Sequence, residues 1–516
     1  MFSSVSTGAL LGVDALRVAV EVDLGPGIQS FQIVGLPEGA VREARVRVKS
    51  AIENVGFMWP ERRVSINLAP ADVRKDGTGF DLPIALAVLG SDGAFDQEST
   101  ARLAGFLAVG ELSLDGALRP VRGVLPMAIC ARDAGFRGII VPWDNAAEAG
   151  LVDRIEVIAC RTLDDALHFV RDGVVPEGAP QPRRDAADSR YPFDMAEVAG
   201  QEHAKRALEV AAAGGHNLLM VGPPGSGKTM LSKRLLTILP EMSFEEALET
   251  TKVYSVAGLT DGSGLISRRP FRSPHHTISD VGLVGGGSGM PRPGEISLAH
   301  QGILFLDELP EFRRNVLEVM RQPLEERRVT ISRSLVSVVY PASIMLVGSM
   351  NPCPCGYAGS RERACLCKPD EIVRYRARIS GPLIDRIDLQ IDVPAVKYRE
   401  LAGRAGAGET SASIRERVAL TREKQRLRFE GSGVTCNAQM GPRELREHCR
   451  VDEAGHRLLE MVVDRLGMSA RAYDRILKVA RTIADLDGAA GIAGRHVAEA
   501  VQYRKGMERE AARAAA

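Results

Sequence analysis

Apolar residues recur along this chain with two different periods, and each period predicts a different element. In the first third, short apolar runs typical of strands cover residues 18–22, 31–34, 64–68 and 106–113. Amphipathic stretches between them predict helices at 38–55, 82–89 and within 120–134. Farther along, apolar runs at 218–221, 303–306 and 344–349 predict buried strands of a parallel sheet. Beyond residue 395 the spacing is helical, at 413–428, 453–466, 471–486 and 494–505.

This pattern divides the chain into three folded parts and one linker. Residues 1–172 predict a mixed α/β domain, residues 191–394 an α/β domain with a parallel sheet, and residues 395–516 a helical domain. Residues 173–190 are rich in Pro, Gly and charge and lack periodicity, which is typical of a flexible linker. The chain has 516 residues, too many for one hydrophobic core, so several domains are expected.

Composition and charge indicate a globular protein without a strong overall charge. The chain is 45% hydrophobic and 26% charged, as in ordinary globular proteins. Its 66 basic and 66 acidic residues balance, so any nucleic-acid binding depends on local basic surfaces. The sequence shows neither a signal peptide nor a long apolar run, so we expect a cytoplasmic protein without a membrane contact. In that compartment the eight cysteines are reduced thiols or metal ligands before they are disulfides.

The strongest chemical signal follows the apolar run at 218–221. That run leads into GPPGSGKT, and helical spacing resumes at 230–236. A Gly-rich loop of this spacing between a strand and a helix is typical of a phosphate-binding loop. In such a loop, backbone N–H groups surround phosphate oxygens. Its lysine reaches the β and γ phosphates and its hydroxyl ligates Mg²⁺. We therefore predict that ATP and Mg²⁺ bind at Gly222, Pro223, Pro224, Gly225, Ser226, Gly227, Lys228 and Thr229.

Two carboxylates end a second buried run, Asp307 and Glu308. The carboxyl ends of parallel strands meet at one edge of a sheet, so both acids are expected beside the phosphate-binding loop. Asp307 is suited to the Mg²⁺ shell, and Glu308 to deprotonating the attacking water. The alternative is a strand that merely ends in solvated acids.

Four cysteines fall into two C-x-C pairs, Cys353 with Cys355 and Cys365 with Cys367. Four thiolates in one loop can surround a tetrahedral Zn²⁺. C-x-C is less typical of zinc sites than C-x₂-C, so reduced structural thiols and redox sensing remain alternatives. The other four cysteines are scattered and are expected to pack in cores.

Several motifs resemble those of AAA+ ATPases. Residues 194–201 are similar to a D-x-x-x-V-x-G-Q stretch that contacts the nucleotide, matched here by Asp194, Val198, Gly200 and Gln201. The run at 344–349 is followed by Asn351, which matches the polar sensor that helps to place the water.

The sequence LIDRID at 383–388 resembles a signature of the magnesium-chelatase and MCM branch of these ATPases. The resemblance implies that Arg386 reaches the γ-phosphate of a neighbouring subunit, and that Arg471, at a predicted helix start, acts as a second sensor. An arginine acting between subunits requires a ring, expected to be a hexamer. The alternative for Arg386 is a salt bridge with the flanking aspartates.

The N-terminal third resembles the Lon protease domain over residues 110–135 and around KDGTGFD at 75–81. That family uses a serine–lysine pair, with the lysine activating the serine hydroxyl. Here Gly79 stands at the serine position and Leu125 at the lysine position. We therefore expect a Lon-like fold without peptidase chemistry, because a fold does not carry its function with it.

The blocks PFRSPHHTISD, SLAHQGILFLDELPEF and SMNPCPCG resemble the YifB/ComM family of magnesium-chelatase-like AAA+ ATPases over residues 1–505. The resemblance implies a ring ATPase that acts on single-stranded or branched DNA, with branch migration during recombination of incoming DNA and recombination proteins as partners. The alternatives are a magnesium-chelatase-type motor and a protein-remodelling motor, each acting on a protein partner.

Two insertions fit this branch. The segment 268–302 is Gly-rich and predicted to be mobile, and residues 328–342 predict a hairpin. In related motors such insertions point into a central pore. Arg327, Arg328 and Arg333 at the base and tip of the hairpin suit contacts with the phosphate backbone, or else form a solvated face. For His275 and His276 we expect loop positioning or pore contact rather than metal binding.

Overall fold

The computed structural model describes residues 2–182, 191–260, 264–287, 290–333, 336–360, 363–396, 408–466 and 469–504. Several sequence predictions fall partly outside these ranges: most of the linker at 183–190, the first residues of the helical domain at 397–407, the hairpin tip at 334–335 and the chain end from 505.

The N-terminal domain is built on a seven-stranded mixed sheet in the order β3-β4-β2-β1-β5-β8-β9. Burial alternates along β4, whereas β5 and β8 are buried throughout, and helices cover the buried faces. The strands are β1 Phe2–Leu11, β2 Asp14–Gly25, β3 Ser30–Val34, β4 Arg63–Ala69, β5 Phe106–Ala108, β6 Glu111–Leu112, β7 Leu118–Arg119, β8 Gly138–Pro142 and β9 Glu156–Cys160. The helices are α1 Gly39–Arg42, α2 Ala44–Asn54, α3 Asp81–Ser91, α4 Gln97–Ala104, α5 Val124–Asp133, α6 Ala146–Ala149 and α7 Leu163–Asp172.

Two of the predicted elements in this domain are interrupted. The helix expected at 38–55 breaks at Glu43 into α1 and α2. The strand expected at 106–113 is wrong as one element: β5 belongs to the large sheet, whereas β6 pairs with β7. The chain leaves the sheet at Gly110, whose N–H donates to the carbonyl of Gly79 over 3.0 Å. A side chain at Gly110 would lie 2.7 Å from Leu118, so the close approach of β7 requires glycine there.

The second domain contains a five-stranded parallel sheet in the order β11-β14-β17-β10-β18. Its strands are apolar on both faces, as expected for a sheet covered by helices on both sides. The strands of this part are β10 Leu218–Val221, β11 Phe271–Arg272, β12 Gly285–Gly286, β13 Arg292–Pro293, β14 Ile303–Leu306, β15 Arg328–Arg333, β16 Val336–Pro341, β17 Met345–Met350 and β18 Leu389–Asp392. The helices are α8 Glu202–Gly214, α9 Lys228–Ile238, α10 Phe244–Ala257, α11 Asp280–Val284, α12 Glu295–Leu298, α13 Arg314–Glu318, α14 Arg321–Glu326, α15 Pro369–Arg376 and α16 Gly381–Ile384.

The two predicted insertions differ in what they form. Strands β15 and β16 pair as the expected antiparallel hairpin. The segment at 268–302, expected to be a mobile insertion, instead supplies β11, the edge strand of the central sheet, together with α11, α12 and the β12/β13 pair. The sequence did not reveal these elements, because strands of two residues carry little hydrophobic pattern of their own.

The C-terminal part is helical, as predicted: α17 Ser411–Arg428, α18 Pro442–His448, α19 Glu453–Leu466, α20 Ala470–Leu486 and α21 Gly494–Gln502. Its apolar faces share one core with α8, α9 and the sheet. Ile414 and Val418 of α17 and Ile476 of α20 are buried in that core. The fold class is thus the expected one, a mixed α/β N-terminal domain, a P-loop domain with a parallel sheet, and a helical C-terminal region. Among the described residues, no helix is long and apolar enough to cross a membrane.

Helix α10 joins the first two domains. The Ser255 carbonyl accepts from the Gly123 N–H at 3.1 Å, and the Ser255 hydroxyl donates to the buried carboxylate of Glu148. Lys252 forms an ion pair with Asp14 at 2.6 Å. These contacts dock the N-terminal domain on a helix that directly follows the nucleotide-binding segment.

Asp388 links the sheet to the helical part. Its carboxylate is 97% buried, pairs with Arg475 of α20, lies 3.4 Å from His216 Nδ1 and accepts the Asn217 N–H at 3.1 Å. Burial raises the pKa of Asp388, but Arg475 and His216 outweigh it and hold that pKa well below its usual range. The ionised carboxylate therefore stabilises the docked helical part at all pH values above its unfolded pKa of about 3.9.

We expect Asp388→Asn to destabilise the protein by about 3 kcal/mol at pH 7, because it leaves the partly buried Arg475 without its counter-charge. Thermal unfolding measures the loss. The difference in the free energy of unfolding between the wild type and the variant should shrink as pH falls below about 4. In that range the carboxyl of the unfolded chain becomes protonated while that of the folded chain stays ionised, which favours the unfolded wild type. Asp385→Asn, in the same motif and only half-buried, is the matched control. Equal destabilisation by both variants would contradict the assigned role.

Candidate nucleotide-binding site

The phosphate-binding loop begins where β10 leaves the sheet. Gly222 has no room for a side chain, since a Cβ there would lie 2.1 Å from the carbonyl oxygen of Val393. Gly225 and Gly227 have φ of +76° and +86°, conformations that L-residues rarely adopt. Helix α9 starts at Lys228, so its free N–H groups and positive dipole end point at the loop.

The side chain of Lys228 lies inside this loop. Its ammonium donates to the carbonyls of Gly222 at 2.7 Å and Pro223 at 2.9 Å, and lies 3.4 Å from Oδ1 of Asn351. Burial lowers the pKa of Lys228, which Asp307 and Glu308 partly oppose. The structure therefore brings the predicted lysine and the predicted polar sensor together, although 123 residues separate them.

Asp307 and Thr229 also meet as expected. The Thr229 hydroxyl donates to the Asp307 carboxylate over 2.8 Å. The other carboxylate oxygen accepts a hydrogen bond from the hydroxyl of Ser349 on β17. Sequence reasoning missed Ser349, whose only signal is a hydroxyl in an apolar strand two residues before Asn351. A hydroxyl and a carboxylate beside a phosphate-binding loop are the oxygen ligands that Mg²⁺ prefers.

Glu308 stands just beyond Asp307 with a left-handed backbone, φ +53°, which is rare outside glycine and clusters at functional sites. Its side chain is 57% exposed, and Oε2 lies 3.9 Å from Nδ1 of His276. The His276 ring stacks on His275 at 4.1 Å and meets the edge of Phe312 at 6.4 Å. The sequence suggested loop positioning or pore contact for this histidine, whereas the fold places it beside the candidate base.

Gln201 and Asp194 of the D-x-x-x-V-x-G-Q stretch have different roles. The Gln201 amide donates to the carbonyl of Ser226 in the phosphate-binding loop at 2.9 Å. Asp194 instead accepts the N–H of Ser411 at 3.0 Å, at the start of α17. The stretch thus connects the nucleotide site to the first helix of the C-terminal part.

Arg386 lies at the opposite edge of the sheet, before the amino end of β18. It is 94% buried, donates to the Pro382 carbonyl at 2.6 Å and pairs with Glu325 of α14 rather than with its flanking aspartates. Its positive neighbours are Arg321, Arg471 and Arg475, whose charges add to burial in lowering the pKa of Arg386. A four-residue strand spans about 13 Å, so neither Arg386 nor its neighbour Arg471 is placed at the phosphate-binding loop of its own chain.

The two C-x-C pairs converge. The sulfur atoms of Cys353, Cys355, Cys365 and Cys367 all lie within 4.8 Å of one another. Backbone N–H groups point at two of them, from Cys355 to the Cys367 sulfur at 3.4 Å and from Ala358 to the Cys353 sulfur at 3.2 Å. The remaining four cysteines are dispersed, as expected, with Cys160, Cys436 and Cys449 buried.

The positions that match the serine and lysine of the Lon protease domain lie among apolar groups. Leu125 is fully buried, and a Cβ at Gly79 would lie 3.0 Å from Val109. The neighbouring Thr78 hydroxyl is engaged by Glu111. A cavity of about 80 Å³ remains between Gly79 and residues 290–292 of the second domain. Neither position of the Lon pair can thus supply a nucleophile or a base.

Comparison with known proteins agrees with this geometry. Family models described as magnesium chelatase, subunit ChlI, match residues 20–145 and 194–401, and the model of its C-terminal part matches 408–504. Competence protein ComM of Haemophilus influenzae is 45% identical over 500 residues, 96% of both chains. The uncharacterized protein YifB of Escherichia coli is 44% identical over 503 residues, 97% of both chains. Lon protease 2 of Bacillus subtilis is 29% identical over 156 residues, covering 30% of this chain and 26% of that protein.

Fold and site together define the magnesium-chelatase class of AAA+ proteins, whose members use a nucleotide and Mg²⁺. Within this class the chain belongs to the YifB/ComM family, since the similarity extends over nearly its whole length.

We expect His276→Ala to lower ATP turnover roughly tenfold with little change in nucleotide affinity, because Glu308 loses its neighbouring ring while the phosphate-binding loop is untouched. Steady-state kinetics and binding of a fluorescent ATP analogue separate the two quantities. His275→Ala, whose ring is bonded to Thr277, is the control. A parallel loss of affinity, or an equal effect of both variants, would show that the ring only supports the loop.

Proposed function

We propose that this chain is a ring-forming ATPase that couples ATP hydrolysis to movement on DNA, acting as a helicase in branch migration during recombination of incoming DNA. The observation that carries the ATPase part is the meeting of Lys228, Thr229, Asp307 and Asn351 at one edge of the sheet. Support for the DNA part comes from the full-length relative named as a competence protein.

In this proposal each residue of the site has a separate task. The loop N–H groups and Lys228 bind the β and γ phosphates, which requires the lysine to exchange its present carbonyl partners for phosphate oxygens. Thr229 and Asp307 hold Mg²⁺, which neutralises charge on the phosphates when bound. Glu308 takes the proton of the attacking water, and Asn351 orients that water.

A ring accounts for the position of Arg386. Because Arg386 and its neighbour Arg471 lie at the edge of the sheet away from their own phosphate-binding loop, we assign them to the site of a neighbouring subunit. An arginine supplied in this way is worth about 10³–10⁵ in turnover. Arg386 would first have to leave Glu325, so subunit contact and hydrolysis would be coupled. A hexamer is the proposed ring.

DNA contact is proposed for the β15/β16 hairpin. Arg333 is exposed near its tip, and Arg328 is exposed at its base, where it forms an ion pair with Glu326 at 3.3 Å. Arg327 does not belong to this surface, because its side chain is mostly buried and turns toward the Gln439 carbonyl of the helical part. Two arginines rather than three are therefore available for phosphate contact.

Zinc is proposed as the ion of the four-cysteine cluster. Four sulfur atoms at mutual distances within 4.8 Å suit the tetrahedral thiolate site of structural Zn²⁺. The backbone N–H groups aimed at two sulfurs would stabilise their negative charge.

The purified chain should hydrolyse ATP faster with branched or single-stranded DNA, and the stimulation should weaken as salt rises because phosphate contacts release counterions. Lys228→Ala should lose turnover by losing nucleotide binding. Glu308→Gln should retain binding and lose about 10²–10⁴ in turnover. Turnover indifferent to every DNA tested, but raised by a protein fraction, would favour the protein-remodelling motor instead.

Metal analysis of the purified protein should find one zinc per chain. Replacing Cys355 and Cys367 together by Ser should remove it, since two oxygen donors leave only two thiolates. Cys130→Ser, in the N-terminal domain, should leave the zinc content unchanged. A wild-type protein prepared without chelators that contains no metal would refute the assignment.

A further inference from the structure

The four-cysteine cluster lies directly beside the nucleotide site. One residue separates Asn351, at the end of β17, from Cys353, the first cysteine. After Cys367 the chain enters α15, which returns to the same point. Arg376 of α15 donates to the Pro352 carbonyl at 2.9 and 3.1 Å. The segment therefore begins and ends beside the polar sensor.

The four-cysteine loop also packs against the phosphate-binding loop. Gly356 packs so closely on Pro224 that a Cβ there would lie 2.5 Å from Cδ and 2.8 Å from Cγ of that proline. Contacts under 3.0 Å cannot persist, so one of the two loops would have to move. Pro224 is a ring with little freedom to yield, and its neighbours are the backbone groups expected to bind phosphate.

Resting on the ATPase function proposed above, we propose that the four-cysteine loop is a structural part of the nucleotide site. With its metal bound, the loop fixes Asn351 from one side and Pro224 from the other, so metal occupancy sets the geometry in which ATP is held. The metal takes no part in hydrolysis itself. Its task is to hold the parts of the connection at 353–360 and 363–367 together, where the sequence offers little apolar surface.

Two glycines of this loop allow a matched test. Gly356 and Gly359 both have left-handed φ, +86° and +75°, so alanine strains the backbone similarly at each. A Cβ at Gly359 meets nothing within 4 Å, whereas a Cβ at Gly356 meets Pro224. Comparing Gly356→Ala with Gly359→Ala therefore isolates the contact between the loops from the strain of the substitution.

We expect Gly356→Ala to keep the full wild-type zinc content and thermal stability close to that of Gly359→Ala, while its affinity for a fluorescent ATP analogue or its turnover falls about tenfold to a hundredfold. Gly359→Ala should bind and hydrolyse ATP as the wild type does, with only the loss of thermal stability that backbone strain causes. Adding Pro224→Ala to Gly356→Ala removes the two ring atoms that the new Cβ meets and should restore part of the loss. In the wild type, stripping zinc with a chelator should reproduce the defect, and zinc alone should reverse it.

Equal behaviour of the two alanine variants, or a zinc-free wild type that binds ATP normally, would overturn the proposal. Loss of zinc from Gly356→Ala alone would also contradict it, because the contact would then serve the metal rather than the nucleotide. The two proposals fail separately. A wild type that binds ATP but does not hydrolyse it would refute the ATPase function. The effect of zinc and of Gly356→Ala on ATP affinity could still be measured in that case, because the binding measurement needs no turnover.

Discussion

The register of three parallel strands determines the rest of this structure. Leu218 of β10 lies opposite Val347 of β17, and Ile303 of β14 opposite Met345 of β17. With these pairs aligned, all three strands end at the same edge, and Gly222, Asp307 and Asn351 follow within one or two residues. A shift of one residue would move one of these groups about 3.3 Å along its strand, which would break the hydrogen bonds that Asp307 and Asn351 make across the edge.

The two edges of the sheet have separate tasks. The carboxyl edge gathers the groups that suit phosphate and Mg²⁺, in keeping with the usual location of ligands in parallel sheets. The amino edge gathers Arg386, Arg475 and the buried Asp388, which connect the sheet to the helical part. The helical part is thus attached at both edges, through Asp388 at the amino edge and through the bond of its first helix to Asp194 near the carboxyl edge.

The N-terminal domain resembles part of Lon protease 2 but has Gly79 and Leu125, which take part in packing, at the positions that match the serine and lysine of the Lon protease domain. The domain is docked through Gly123 and Glu148 on helix α10. That helix belongs to the domain that carries the phosphate-binding loop. The cysteine loop is attached more directly, because it begins one residue after Asn351 and packs on Pro224.

Local sequence determined the phosphate-binding loop, the Asp307–Glu308 pair, the helical C-terminal part and the cysteine pairs, because each depends on residues that are neighbours in the chain. It did not reveal β11, the break at Gly110, or the partners of Arg386 and Arg327. The meetings of Ser349 with Asp307, His276 with Glu308 and Gly356 with Pro224 were likewise hidden. Each of these joins residues 30 to more than 100 positions apart, and such contacts follow from strand order and packing, which no local pattern records.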